Sequence, residues 1–154
     1  MTNPAIFKAY DIRGVYGVDL DDETAYQIGY SYAQMRKREM PLDRVLQIVV
    51  GADMRLSSPA LKKKLNQGLI NGGVNVVDIG LASTPTFYFA VANYNYDGGV
   101  LVSASHNPKE YNGFKLVRQK ALPMSGEGGL YELGVKCQDI VDKIMCRDIV
   151  DTVL

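Results

Sequence analysis

Neither sign of charge prevails in this sequence: lysine plus arginine and aspartate plus glutamate each number 17 of 154 residues. A protein that grips nucleic acid without regard to sequence needs a basic footprint, and the totals give none, so no nucleic-acid partner is expected. Long apolar runs are missing too. No run nears the roughly 20 residues that cross a bilayer, and the start, MTNPAIFKAY, lacks the apolar centre of a signal peptide, so no membrane partner is expected. Cysteine is scarce. Cys137 and Cys146 match no common zinc spacing, and a single histidine rules out the usual Cys/His site. Both thiols read as reduced, and the expected location is the cytoplasm. The same lone histidine, His106, leaves a Ser-His-Asp triad unsupported, since it adjoins Ser105 and no second histidine exists. There is no Walker A pattern and no G-x-G-x-x-G after a strand.

What is there alternates short apolar runs with longer amphipathic ones, over a length suited to one domain, residues 1–154. AIFKAYDIRG reads as a short strand ending in a glycine turn. DDETAYQIGYSYAQMRKREM reads as a helix capped by Asp21, with acidic residues first, basic residues last, and a core stripe of Ala25, Ile28, Gly29 and Tyr32. VLQIVVGAD is a continuous β-branched run, which predicts a strand buried on both faces. SSPALKKKLNQGLINGG is a second helix, with Ser58 as cap and Pro59 in its first turn. VNVVDIG is a strand, and STPTFYFAVANYN is a third helix with Thr84 as cap before Pro85. GGVLVSAS is a strand, GFKLVRQ an edge or antiparallel strand, and the tail from Ser125 is mostly helical, with Gly126–Gly129 the expected flexible point. Strand–helix–strand alternation predicts an α/β protein: a three-layer α/β/α sandwich around a mixed, mostly parallel sheet.

In such sheets ligands bind beyond the carboxyl ends of the strands. Polar residues collect after each predicted strand: Tyr10, Asp11 and Arg13; Asp53, Arg55, Ser57 and Ser58; GLASTPT; and finally SASHNPKEYNGFK. Two arginines, a lysine and several hydroxyls facing one region suit a phosphorylated ligand, helped by helix starts at Ser58 and Thr84. Each has a plainer reading. Ser58 and Thr84 serve as caps, Arg13 and Arg55 as surface arginines, Asp53 as the residue that orders the loop around Arg55, and His106 as a solvated histidine.

Together these residues carry a resemblance. SASHNPKEYNGFK closely resembles the active-site serine loop of the α-D-phosphohexomutases, the phosphomannomutase/phosphoglucomutase family. FKAYDIRGVYG resembles that family's N-terminal signature, and GADMRLSS its second-strand loop. The order and spacings match along essentially the whole chain, although Ala52 stands where family members often carry a larger residue.

The resemblance implies a first domain, bearing a phosphoserine, of a four-domain enzyme. The serine carried over is Ser105. The implied reaction interconverts hexose 1-phosphates and hexose 6-phosphates: phosphoserine gives its phosphoryl group to a phosphorylated hexose, and the bisphosphorylated sugar turns around and returns its other phosphate. Lys115 carries over as an acid–base group, Arg13 as electrostatic stabiliser, His106 as a group that orients the transferring phosphoryl or shuttles its proton, and Tyr10 as a substrate contact beside Arg13 and Lys115. The implied cofactor is Mg²⁺, with the phosphate on Ser105 as one ligand and hexose 1,6-bisphosphate as activator. The metal loop of the DGDGDR kind is absent, as are the GEMSGH-like sugar loop and the phosphate loop of the fourth domain. The expectation is therefore a chain that needs the remaining domains as partners and is inactive alone. A helical segment at about 137–154 would lead toward the second domain, and its stripe of Val141, Ile144, Met145 and Ile149 predicts some homodimer formation. A non-catalytic module binding sugar phosphates or another protein, and a small serine hydrolase, are the competing classes.

Overall fold

In a computed structural model the structure describes residues 3–139. Five strands form one sheet in the order β1-β5-β4-β2-β3, with β1 at Ile12–Val15, β2 at Gln47–Ala52, β3 at Asn75–Leu81, β4 at Gly98–Val102 and β5 at Tyr111–Arg118. β2 pairs in parallel with β3 and β4, while β5 is antiparallel to both β4 and β1. Four strands thus share a direction and β5 alone opposes it. Helices α1 (Asp22–Glu39) and α2 (Ser58–Asn71) cover one face, and α3 (Thr84–Asn93) covers the other. The result is the expected α/β/α sandwich.

The apolar runs explain the layers. Side chains alternate across a strand, so Ile48, Val50, Val100, Val102, Phe114 and Leu116 enter the larger core against Ile28, Tyr32 and Leu65. Val49, Leu101 and Val117 enter the smaller core against Phe87 and Val91 of α3. At the α1–α2 crossing the two backbones touch. A Cβ added to Gly68 would stand 2.0 Å from the Tyr26 carbonyl oxygen, and one on Gly29 would stand 2.3 Å from that of Leu65. Glycine is what lets these helices close.

Three local expectations shift. AIFKAYDIRG, read as one strand, instead begins inside a 3₁₀ turn at Pro4–Ile6 and only from Ile12 forms a strand. GFKLVRQ is antiparallel but interior, because β1 pairs with its far side. The Gly126–Gly129 stretch is tied down: Gly126 N–H donates to the Ala9 carbonyl (2.7 Å), Gly128 N–H to Ser125 Oγ (3.0 Å), and the Gly128 carbonyl accepts from Arg118 (2.8 Å). It opens a last described helix, α4, at 131–139. On it Cys137 is buried and donates to Ser31 Oγ at 3.6 Å. Burial pushes its thiol up to about 12, against a smaller pull from Ser31, so it is an inert structural cysteine at neutral pH. The Val141–Ile149 stripe, Cys146 and most of the 137–154 segment lie outside the described residues. Among the described residues no helix is long and apolar enough to cross a membrane.

Candidate active site

β1 to β4 end at one edge of the sheet, and β5, running the other way, begins there. The segment from Ser103 to Glu110 is therefore the tip of a hairpin in the middle of the sheet. Ser103 still belongs to the ladder: its N–H donates to the Gly113 carbonyl at 2.9 Å, and it is buried. Its Oγ accepts from the Ser105 N–H at 3.0 Å. Ser105 then takes φ +55°, the left-handed region, at a cost of roughly 1–2 kcal/mol for an L-residue. Its side chain is exposed, and its Oγ lies 3.3 Å from His106 Nδ1, the imidazole tautomer deciding which atom donates.

Asn107 closes the turn. Its backbone N–H and its Nδ2 both donate to the Ala104 carbonyl (3.1 and 2.7 Å). Its Oδ1 is left to accept from Arg13 Nη1 at 3.2 Å. Arg13 Nη2 meets Asp11 Oδ1 at 3.2 Å, while Lys115 Nζ lies 3.7 Å from Asp11 Oδ2. One carboxylate therefore holds two cations side by side under the serine loop. Arg13 Nε is buried and, among the described residues, has no hydrogen-bond partner. Of the residues carried over, Ser105 meets His106, and Arg13 and Lys115 meet through Asp11; the two groups approach each other through Asn107, which Arg13 contacts, with no direct contact between Ser105 and either cation. Tyr10 joins neither group: it is 76% exposed and makes no hydrogen bond to the others.

Arg55, expected among the phosphate ligands, is fully occupied. Nε donates to Asp53 Oδ2 at 3.2 Å. Nη1 donates to the carbonyls of Pro108 (2.7 Å) and Tyr111 (3.1 Å), and Nη2 to those of Ser105 (2.9 Å) and Asn107 (2.7 Å). A guanidinium has five N–H bonds, so none remains for a ligand. The helix starts also differ by a residue from expectation. Ser83, not Thr84, caps α3 by accepting from the Thr86 N–H at 3.3 Å. Ser58 is a buried first residue of α2, donating to Asp53 Oδ1 (2.7 Å) and accepting from Asn112 Nδ2 (3.0 Å). Asp11 as the shared counter-ion and Arg55 as a loop anchor are the two roles sequence reasoning missed. Their one signal was the repeated Asp-x-Arg spacing at 11–13 and 53–55.

Two clefts flank the serine loop. One of about 520 Å³ is lined by Asp53, Met54, Ser83, Thr84, Ser105 and Lys109; the other, about 580 Å³, by Lys8, Arg13, Asn107, Pro108 and Tyr111. Among the described residues no group of three or more His, Cys, Asp or Glu side chains could hold a metal ion, and Asp11 and Asp53 are engaged by cations. These residues do not by themselves form a magnesium site.

Residues 4–129 match the family described as phosphoglucomutase/phosphomannomutase, α/β/α domain I. A phosphomannomutase of Vibrio cholerae is 53% identical over 127 residues, which are 82% of this chain and 27% of that protein. One from Klebsiella pneumoniae is 47% identical over 133 residues, 86% of this chain and 80% of that one. The crystal structure of a phosphoglucomutase/phosphomannomutase family protein from Burkholderia thailandensis superposes with a TM-score of 0.76 at 38% identity, covering 90% of this chain and 31% of the other. The chain thus spans little more than a quarter of the Vibrio relative's length and four fifths of the Klebsiella one. With the serine hairpin, the Asp11–Arg13–Lys115 cluster and the α/β/α layers all accounted for, the chain belongs to the phosphoglucomutase/phosphomannomutase family and corresponds to its domain I.

Proposed function

We propose that this chain carries the phosphoryl group of a phosphohexomutase on Ser105. The observation that supports this most is Ser105 itself. It is an exposed hydroxyl on a left-handed residue at the tip of a central hairpin, with His106 Nδ1 at 3.3 Å and no other partner for its Oγ among the described residues. Ser103, the neighbouring hydroxyl, is buried, and its Oγ accepts from the Ser105 N–H.

In the forward step the P–Oγ bond of phosphoserine breaks as a bond forms between phosphorus and a hydroxyl oxygen of a hexose monophosphate. The sugar hydroxyl gives its proton to Lys115, the acid–base group that the family resemblance implies, and Ser105 Oγ regains one. His106 is placed to supply that proton to Oγ. Arg13, with unspent N–H bonds, and Lys115 stabilise charge on the transferring phosphoryl, while a guanidinium is too weak an acid to move protons at neutral pH. Tyr10 offers an exposed surface for the sugar. The reverse step, with the other phosphate of the bisphosphorylated sugar, reloads Ser105, so hexose 1,6-bisphosphate is the natural activator. Mg²⁺, when bound, would neutralise phosphoryl charge; on this chain its one ligand would be a phosphate oxygen on Ser105, the others coming from elsewhere in a complete enzyme. Turnover by these residues alone is expected to be negligible.

The test is intact mass and peptide mapping of Gly98 to Lys115 after incubation with a hexose 1,6-bisphosphate. One phosphoryl adduct on Ser105, absent in Ser105→Ala, is expected. An adduct on Ser103, or adduct persisting in Ser105→Ala, would overturn the assignment. A non-catalytic module would instead bind hexose phosphate equally well with or without the Ser105 hydroxyl.

A further inference from the structure

Ser105 is pinned from both sides of its Cα. Its N–H is held by Ser103 Oγ, and its carbonyl by Arg55 Nη2. Three further carbonyls of the same turn, from Asn107, Pro108 and Tyr111, converge on the same guanidinium. Arg55 is fixed in turn. Asp53 takes its Nε and its backbone N–H (3.1 Å), Ser58 donates to Asp53, and the buried Asn112 at the foot of β5 donates to Ser58. A continuous path thus runs from β5 through the start of α2 back to the turn that β5 leaves.

We propose that Arg55 is the positioning residue of the serine loop: by gathering its carbonyls it holds Ser105 left-handed and aims the Ser105 Oγ out of the turn beside His106. The value of that aim rests on Ser105 being the phosphoryl carrier; the geometry does not. The competing explanation is that Asn107 and Pro108 set the turn by themselves. Charge alone does not explain the arrangement either. A lysine here could pair with Asp53, yet its three N–H bonds cannot reach one carboxylate and four carbonyls.

The experiment compares Ser105→Gly with Ser105→Ala in two backgrounds, Arg55 and Arg55→Lys, by urea unfolding of the full chain. Glycine adopts positive φ freely and alanine does not, whereas at negative φ alanine is the more stable. With Arg55 present, Ser105→Gly should exceed Ser105→Ala by roughly five- to thirtyfold in the folding equilibrium constant. With Arg55→Lys the order should vanish or reverse. An equal glycine advantage in both backgrounds would mean that the turn sets itself, and no advantage with Arg55 would mean that Ser105 is not held left-handed; either overturns the proposal. Should Arg55→Lys not fold, proton NMR of the unmodified chain decides. Four separate, slowly exchanging Nη protons on Arg55 are expected, and one averaged, rapidly exchanging signal would overturn the proposal. A missing phosphoryl adduct on Ser105 would sink the mutase reading and leave these results untouched.

Discussion

Asp11–Arg13 and Asp53–Arg55 are the same two residue types at the same spacing, each joined by an ion pair of 3.2 Å, and both reach the serine loop. They do opposite things there. Arg55 lies in a loop whose neighbour turns four carbonyls toward it, so all its hydrogen bonds close within the protein. Arg13 lies on edge strand β1 and meets the loop through one side-chain amide oxygen, with its Nε left unpaired and its carboxylate shared with Lys115. The lesson is that an arginine beside a reactive group is a ligand candidate only after its five N–H bonds have been counted. The saturated one builds the site, and the unsaturated one can still meet an anion.

Removing the builder should have the larger effect. Arg55→Ala leaves four carbonyls without their shared donor and Asp53 without its cation, so stability should fall by about 2–3 kcal/mol in urea titration. A loss under 1 kcal/mol would break the contrast. Arg13→Ala should cost less than about 1 kcal/mol, its contacts being single and partly solvated, yet slow phosphoryl loading of Ser105 about 100-fold. Loading at the original rate, followed by mass spectrometry, would deny Arg13 its part.

A third arginine–carboxylate pair, at the opposite end of the sheet, supplies the reference for a purely structural one. Arg44 donates to both oxygens of the buried Asp97 (2.7 and 2.8 Å), whose Oδ2 also accepts from the Gln47 N–H (2.8 Å). The Arg44 hydrogen bonds hold the Asp97 carboxyl below the usual carboxylate range, with burial opposing and Gln47 helping. A carboxyl depressed in the folded state adds stability that is present above its unfolded pKa, near 3.9, and is lost as pH falls through the folded value. Wild type should therefore exceed Asp97→Asn in unfolding midpoint at pH 6, and the gap should narrow below about pH 4. A gap independent of pH would mean that the Asp97 charge does not stabilise the fold.

Much of this was legible in the sequence because it follows from period and capping. Asp21 caps α1 as read, its Oδ1 accepting from the Thr24 N–H at 2.7 Å, and the β-branched run at 47–52 is buried on both faces. The serine loop was legible as an abrupt change from apolar to polar with a proline turn. What stayed hidden depends on distant partners. β1 starts at Ile12 because Ile12 finds Phe114, and β5 is interior because β1 covers it. Nothing local to GADMRLSS shows that the carbonyls of residues 105 to 111 will surround Arg55.

The reversed direction of β5 has a consequence for which changes the chain tolerates. A loop between a strand and a helix can gain or lose a residue while the helix slides to compensate. The segment between β4 and β5 has no such slack, for both its ends are locked in neighbouring ladders at the centre of the sheet. Losing one residue there would move β5 by one place, turning Phe114 and Leu116 out of the larger core and Lys115 into it. The serine loop is thus a ruler as much as a holder: its length in residues keeps the Ser105 hydroxyl and Lys115 on a common footing.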